Sequence, residues 1–219
     1  MEADNVGLTY SRPYAISELV QAGIIGNYLY APYGIGVSFS SFGNNVFRES
    51  RLSFNLSRLF LDDKLSMGTN LHWYSIHAEK YETANSLGLD IGVLYKISPS
   101  MNTGFSVQNI NQPKIRNHAE ELPLVTSWGF SFMADEHVFT YLAVQKDAWH
   151  PVALHFGVNV LANSYFSLQS GFSSYPSVPA LGVHFKKNWF NLNYVFQYHF
   201  ELGATHLWGI SLTRIKNAE

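Results

Sequence analysis

The sequence predicts an all-β fold: an antiparallel, up-and-down transmembrane β-barrel of about fourteen strands, in a single domain spanning residues 1–219. Three observations predict it. The first is the alternation in Ser86–Pro113, where Leu87, Leu89, Ile91, Val93, Tyr95 and Ile97 share one face. Gly88, Asp90, Gly92, Lys96 and Ser98 share the other, with Leu94 the apolar exception, and Met101–Gln108 alternates in the same way after Pro99-Ser100. Side chains of a strand point to opposite faces in turn, so this is a hairpin with one apolar and one polar wall. The second is composition: 47% hydrophobic residues but only 14% charged, with a mean hydropathy of -0.04. A soluble domain carries about 25% charged residues. No run of about 18 apolar residues offers a transmembrane helix, and alternating lipid-facing and lumen-facing strands produce this combination. The third is the connections, short at one end of the strands and longer at the other, as in a barrel that crosses a bilayer.

Along the chain, Asn5–Ser11 reads as a first strand, broken at Arg12-Pro13-Tyr14, with Ala15–Val20 as a turn of helix or a loop. Gln21–Tyr30 and Gly34–Phe42 are strands around Ala31-Pro32-Tyr33. In Arg51–Leu61, Leu52, Phe54 and Leu56 oppose Ser53, Asn55 and Ser57; after Asp62-Asp63 the same alternation runs through Lys64–His77. Beyond the central hairpin, Lys114–Glu121 is the longest irregular segment. Strands resume at Val125–Ala134, Val138–Gln145, Val152–Ala162, Tyr165–Gly171, Ala180–Lys186, Phe190–Glu201 and Thr205–Arg214. All eight prolines fall in turns or at strand edges, where a missing N–H is tolerated. Tight turns are expected near Pro32, Asp62, Pro99, Asp135, Asn163 and Asn188. Longer loops are expected at Asn44–Glu49, Lys80–Asn85, Pro113–Pro123, Lys146–His150 and Ser173–Pro179. An even strand number places both termini at the short-turn end.

Aromatics are abundant, with 13 Tyr, 16 Phe and 5 Trp. Tyr30, Tyr33, Phe60, Tyr165, Phe166, Trp189 and Phe190 flank the tight turns, while Trp73, Trp128, Trp149, Tyr175 and Tyr198 lie nearer the longer loops. Two interfacial belts would place them so. Aromatics are also good strand formers, and a soluble β-sandwich used for binding stays open as an alternative.

A net charge of -2 and the lack of a basic stripe argue against a nucleic-acid partner. Zero Cys removes disulfides, thiolate catalysis and Cys-ligated zinc. The first residues show neither a basic n-region nor an apolar h-region.

Tyr10-Ser11-Arg12-Pro13-Tyr14 with Glu18-Leu19, Tyr33–Phe39, and Gly104–Ile115 with its Asn-Ile-Asn-Gln-Pro segment resemble the PorV/PorQ-type outer membrane proteins. These are relatives of the FadL fatty-acid transporters. The resemblance is diffuse but spans most of the chain. It implies a 14-stranded barrel in the outer membrane of a Gram-negative, Bacteroidetes-like bacterium. It also implies a non-enzymatic role: type IX secretion-associated export of surface proteins or a docking platform, or alternatively a FadL-like channel for hydrophobic small molecules. The implied partners are the lipid bilayer and either secretion-system components and exported proteins or a hydrophobic small molecule. The family's N-terminal Asn-Pro-Ala plug has no match here, which points to a truncated N-terminus.

By alternation Asn70, His72, Asp90, Lys96, Gln108, His155, His184, Asn193, Gln197 and His199 are candidates to line the lumen. A titratable lining would tune passage; ordinary polar residues bonded to one another and to water would do nothing specific. Lys114, Arg116, His118, Glu120 and Glu121 form a candidate partner loop, or a solvated charged one. No cofactor or metal is expected, since His72/His77 and His150/His155 are spaced to opposite strand faces. A hydrolase would need Ser beside His77 or His206, and no Gly-x-Ser-x-Gly elbow exists.

Overall fold

A computed structural model describes residues 2–80, 83–115 and 120–216. Its strands are β1 (Glu2–Arg12), β2 (Val20–Tyr30), β3 (Tyr33–Gly43), β4 (Phe47–Phe60), β5 (Leu65–Ala78), β6 (Ala84–Ser98) and β7 (Met101–Gln108). Two very short ones follow, β8 (Lys114–Ile115) and β9 (Glu120–Glu121), paired only with each other. Then come β10 (Val125–Asp135), β11 (Val138–Asp147), β12 (Ala153–Leu161), β13 (Phe166–Ser174), β14 (Ser177–Lys187), β15 (Phe190–His199) and β16 (Gly203–Lys216). All but β8 and β9 join a closed antiparallel barrel of fourteen strands, sealed where β1 pairs with β16 from Glu2↔Lys216 to Arg12↔His206. Among the described residues no helix is long and apolar enough to cross a membrane; a barrel crosses with strands.

Register fixes which residues face out. Across β1, β16 and β15 the outward rows read Arg12–His206–Phe196, then Tyr10–Trp208–Tyr194, Leu8–Ile210–Leu192 and Val6–Leu212–Phe190, with Asp4–Arg214 below. A row headed by Arg12, then rings, aliphatics, a row ending in one ring and then charges follow the order of a bilayer cross-section. The eight-residue step from Asp4 to Arg12 covers about 20 Å of bilayer at ~3.3 Å per residue and ~40° tilt. On β4, Arg58 lies over the rings of Tyr33 and Phe60, with its guanidinium 5.3 and 4.9 Å from their centroids. This is the posture of a cation anchored beside interfacial aromatics. Large apolar residues are exposed around the whole outer wall, Leu8 at 55% and Phe54 at 54% among them.

The inner face is polar and has no conventional core: Ala153 is the one buried hydrophobic residue among those described. Fourteen strands spaced ~4.8 Å apart and tilted ~40° close into a ring about 28 Å across, and side chains reaching ~5 Å inward from each wall leave a lumen of about 18 Å. Wall side chains alone do not fill that width, so the loops decide what remains open.

Two connections expected to be long are tight. At Asn44 the side-chain Oδ1 accepts from the N–H groups of Val46 and Phe47, at 2.8 and 3.0 Å, while Gly43 adopts φ +105. A Cβ there would lie 2.1 Å from the Phe47 carbonyl oxygen, so only glycine fits. Strand β4 thus begins at Phe47, inside the stretch read as loop. Likewise β13 and β14 are joined through Tyr175-Pro176 alone. Lys114–Glu121, read as irregular, holds the β8–β9 pair. The segment after β1 is a 3-10 turn at Pro13–Ala15, earlier than the helical turn expected from Ala15.

Leu8→Arg is expected to cost about 2–4 kcal/mol of folding stability in lipid vesicles, because it places a charge near mid-bilayer. Ser106→Lys on the inner face should cost no more than about 1 kcal/mol. Urea unfolding from vesicles, followed by tryptophan fluorescence, measures both.

Candidate functional site

The cross-strand register carries the inner face around the barrel. It runs Ser53↔His72 and Asn70↔Asp90, then Gln108↔Val125 and Lys96↔Asn102, to Ala143↔His155, His184↔Asn193, Ala180↔Gln197 and His199↔Gly203. All ten residues singled out by alternation lie on this face, but they do not form one cluster. Asn70, His72, Asp90 and Gln108 line a cavity of about 410 Å³ with Arg51, Ser53 and Asn55. His155, Gln197 and His199 line another of about 550 Å³ across the lumen. His184 and Asn193 are neighbours nearer the tight turns, and Lys96 stands by a bulge at the end of β6.

Within the first cavity the polar groups are tightly coupled. His72 is held by Ser53 Oγ on Nδ1 at 2.7 Å and by Asp90 Oδ2 on Nε2 at 2.6 Å, with side chains of His72 and Asp90 only 7% and 13% exposed. The other Asp90 oxygen accepts the backbone N–H of Asn109 at 2.9 Å. Asn109 Oδ1 accepts from Tyr74 Oη at 3.0 Å, and its Nδ2 donates to the Pro123 carbonyl at 3.2 Å. Asn55 Nδ2 donates to Asn70 Oδ1 at 2.7 Å. Buried polar groups destabilise unless paired, and here the pairing is mutual.

Ser53, His72 and Asp90 share the residue types of a hydrolytic triad but not its arrangement. The serine sits on Nδ1 and the carboxylate on Nε2, the reverse of the usual arrangement. Strands β4 and β5 also commit their backbone N–H groups to ladders on both sides, so none is aimed at an oxyanion. His206 faces outward and bonds Tyr194 Oη at 2.8 Å, and His77 bonds Thr83 Oγ1 at 3.2 Å. The described residues hold no cluster of three or more potential metal ligands.

The same network marks an interruption in the wall. Strand β7 leaves the sheet after Gln108, with Asn109 at φ 52 and Gln112 at φ 44. Above that point β6 has no strand on its β7 side, and Asn111 takes that place: Leu89 N–H donates to Asn111 Oδ1 at 2.9 Å, and Asn111 Nδ2 donates to the Leu87 carbonyl at 2.7 Å. The chain then turns inward. A cavity of about 500 Å³ at the long-loop mouth is lined by Ile115, Glu121 and Leu122 from this segment and by Trp149 from the β11–β12 loop. Phe42, Glu49, Arg51 and Tyr74 face them from the wall.

Of the partner-loop candidates, Lys114 and Glu121 form an exposed ion pair at 3.1 Å across the β8–β9 hairpin. Glu120 pairs through its backbone with Ile115. Arg116 and His118 lie outside the described residues. Sequence reasoning missed Glu49, Arg51, Ser53 and Tyr74, although the alternation already placed the last two on the inner face. It also missed Asn109, for which no periodic signal exists.

No protein-family model matches the chain, and no curated protein matches it in sequence. Solved structures do. The CymD monoaromatic hydrocarbon channel is similar at TM-score 0.71 and 12% identity, with 99% of this chain and 88% of that one covered. The Pseudomonas putida toluene transporter TodX gives 0.70 and 10%, covering 99% and 90%. A Pseudomonas aeruginosa FadL homologue gives 0.63 and 7%, covering 96% and 89%. At such identities the likeness shows the fold, a FadL-like barrel.

Asp90→Ala should lower stability by about 2–4 kcal/mol, since it strands both His72 Nε2 and the Asn109 N–H in a buried setting. Amide hydrogen exchange should rise at Asn109–Asn111 before it rises elsewhere in the barrel.

Proposed function

We propose that this chain is an outer-membrane β-barrel channel of a Gram-negative bacterium, passing small molecules with no covalent chemistry. The cavity at the long-loop mouth carries this reading. Phe42, Tyr74, Trp149, Ile115 and Leu122 offer an apolar wall, and Gln21, Glu49 and Arg51 offer convergent polar groups. A small molecule with an apolar body and one polar group suits such a lining. From there the path runs down a polar inner face through the Arg51–His72–Asp90 region, whose role is to line the passage. The fold is one also found in channels named for monoaromatic hydrocarbons and toluene, which supports a hydrophobic or amphipathic solute. The wall interruption at Asn109–Gln112 is sealed by Asn111, which keeps the proposed path within the lumen.

A second reading is a docking platform in type IX secretion-associated export, with exported proteins or secretion components as partners. It is favoured by the apolar residues exposed at the long-loop rim: Trp149 at 62%, Phe200 at 66% and Leu202 at 51%. These rings also suit an interfacial belt, so the channel is the reading the geometry favours.

The protein refolded into liposomes is expected to cause swelling in isotonic arabinose well above protein-free vesicles. A folded, heat-modifiable barrel that leaves the vesicles impermeable would overturn the channel and leave the platform. In the channel, Arg51→Ala should weaken saturable uptake of benzoate roughly fivefold, as expected for one charge-assisted contact.

A further inference from the structure

We propose that Tyr14 forms a constriction inside the lumen that limits the size of solutes; this rests on the channel reading above. The strap between β1 and β2 does not extend into solvent. Its Pro13–Ala15 turn folds inward, and the Tyr14 backbone N–H donates to Thr205 Oγ1 on the inner face of β16 at 2.9 Å. The Tyr14 ring meets His199 of β15 edge-on, with centroids 5.9 Å apart and planes at 84°.

Ser11 and Thr205, on the inner face beside this contact, are only 4% and 9% exposed. The cavity that remains, about 550 Å³, is bounded by Pro13 and Tyr14 on one side and by His155 and Gln197 of the wall on the other. A solute passing this half of the barrel therefore moves between the Tyr14 strap and β12–β15.

The backbone gives a second, independent sign. Tyr14 and Ala15 both adopt left-handed conformations, at φ 58 and 55. Glycine would take these angles more easily. A tyrosine held there by a tether and a ring contact places a large, rigid, partly polar side chain in the pore. A constriction of this kind sets a size limit without a binding site: solutes wider than the gap are excluded by sterics, and smaller ones pass beside the tyrosine hydroxyl and the His199 ring.

The test uses the full chain refolded into planar bilayers for single-channel conductance, and into liposomes for swelling with arabinose, sucrose and raffinose. Tyr14→Gly keeps the left-handed turn and removes the ring. It should raise conductance roughly 1.5- to 2-fold and admit the larger sugars. Thr205→Val removes only the tether and should give a smaller rise with noisier open states. Tyr14→Phe keeps the ring and should match the wild type. A conducting wild type whose Tyr14→Gly and Thr205→Val variants show unchanged conductance and sugar limit overturns the constriction while leaving the channel. A silent wild type overturns the channel and the constriction together. Should Tyr14→Gly fail to give a heat-modifiable band, Thr205→Val decides.

Discussion

Everything in this molecule depends on closing a hydrogen-bond ladder. A backbone surrounded by hydrocarbon cannot leave N–H and C=O groups unpaired, because each would cost several kcal/mol. The β1–β16 pairing, continuous from Glu2↔Lys216 to Arg12↔His206, removes the two edges an open sheet would expose. Once the ring is closed, side-chain parity has only two destinations. A one-residue slip anywhere would turn a whole strand's apolar set into the lumen. This explains why the outward rows stay ordered from Arg12 and His206 down to Asp4 and Arg214, although the strands carrying them are far apart in sequence.

Closure also creates a difficulty for the inner face. A barrel of this width has no apolar core, so its inner side chains must satisfy one another. The Ser53–His72–Asp90–Asn109 chain does so on one side of the lumen, and the Tyr14–Thr205 and Tyr14–His199 contacts do so on the other. Both use loop residues to complete what the wall leaves unfinished. Stability of the wall and shape of the passage therefore rest on the same side chains.

The alternating strands were legible because period 2 is written into residues such as Leu87, Leu89, Ile91 and Val93, and parity alone sends Asn70, His72 and Asp90 to one face. Turn length was less legible. Asn44–Glu49 looks like loop composition, yet a single asparagine carboxamide tightens it, and Arg48 and Glu49 pair as strand despite their charge. Loop direction was not legible at all. Nothing in Arg12-Pro13-Tyr14 says that the turn folds inward. That choice depends on Thr205 and His199, nearly two hundred residues away, and on the empty width they must help fill. Local propensity describes neighbours along the chain, whereas the site is set by neighbours across the lumen.

The network around Asp90 joins the wall to the mouth. Asp90 holds His72 within the sheet through one oxygen and Asn109 at the start of the inward-turning segment through the other. Asn109 in turn grips Tyr74, which lines the mouth cavity beside Arg51. The point where β7 stops being a strand is thus bonded, through Asp90, to the buried His72 of the wall. Such a junction resists fluctuation more than a free loop would, since moving Asn109 leaves a carboxylate oxygen and a buried carboxamide unpaired. The inward fold of the segment is therefore a fixed part of the barrel, and the mouth cavity is a preformed feature. A preformed mixed cavity at the entrance of a closed barrel suits solute capture, because ordering costs are already met before a solute arrives.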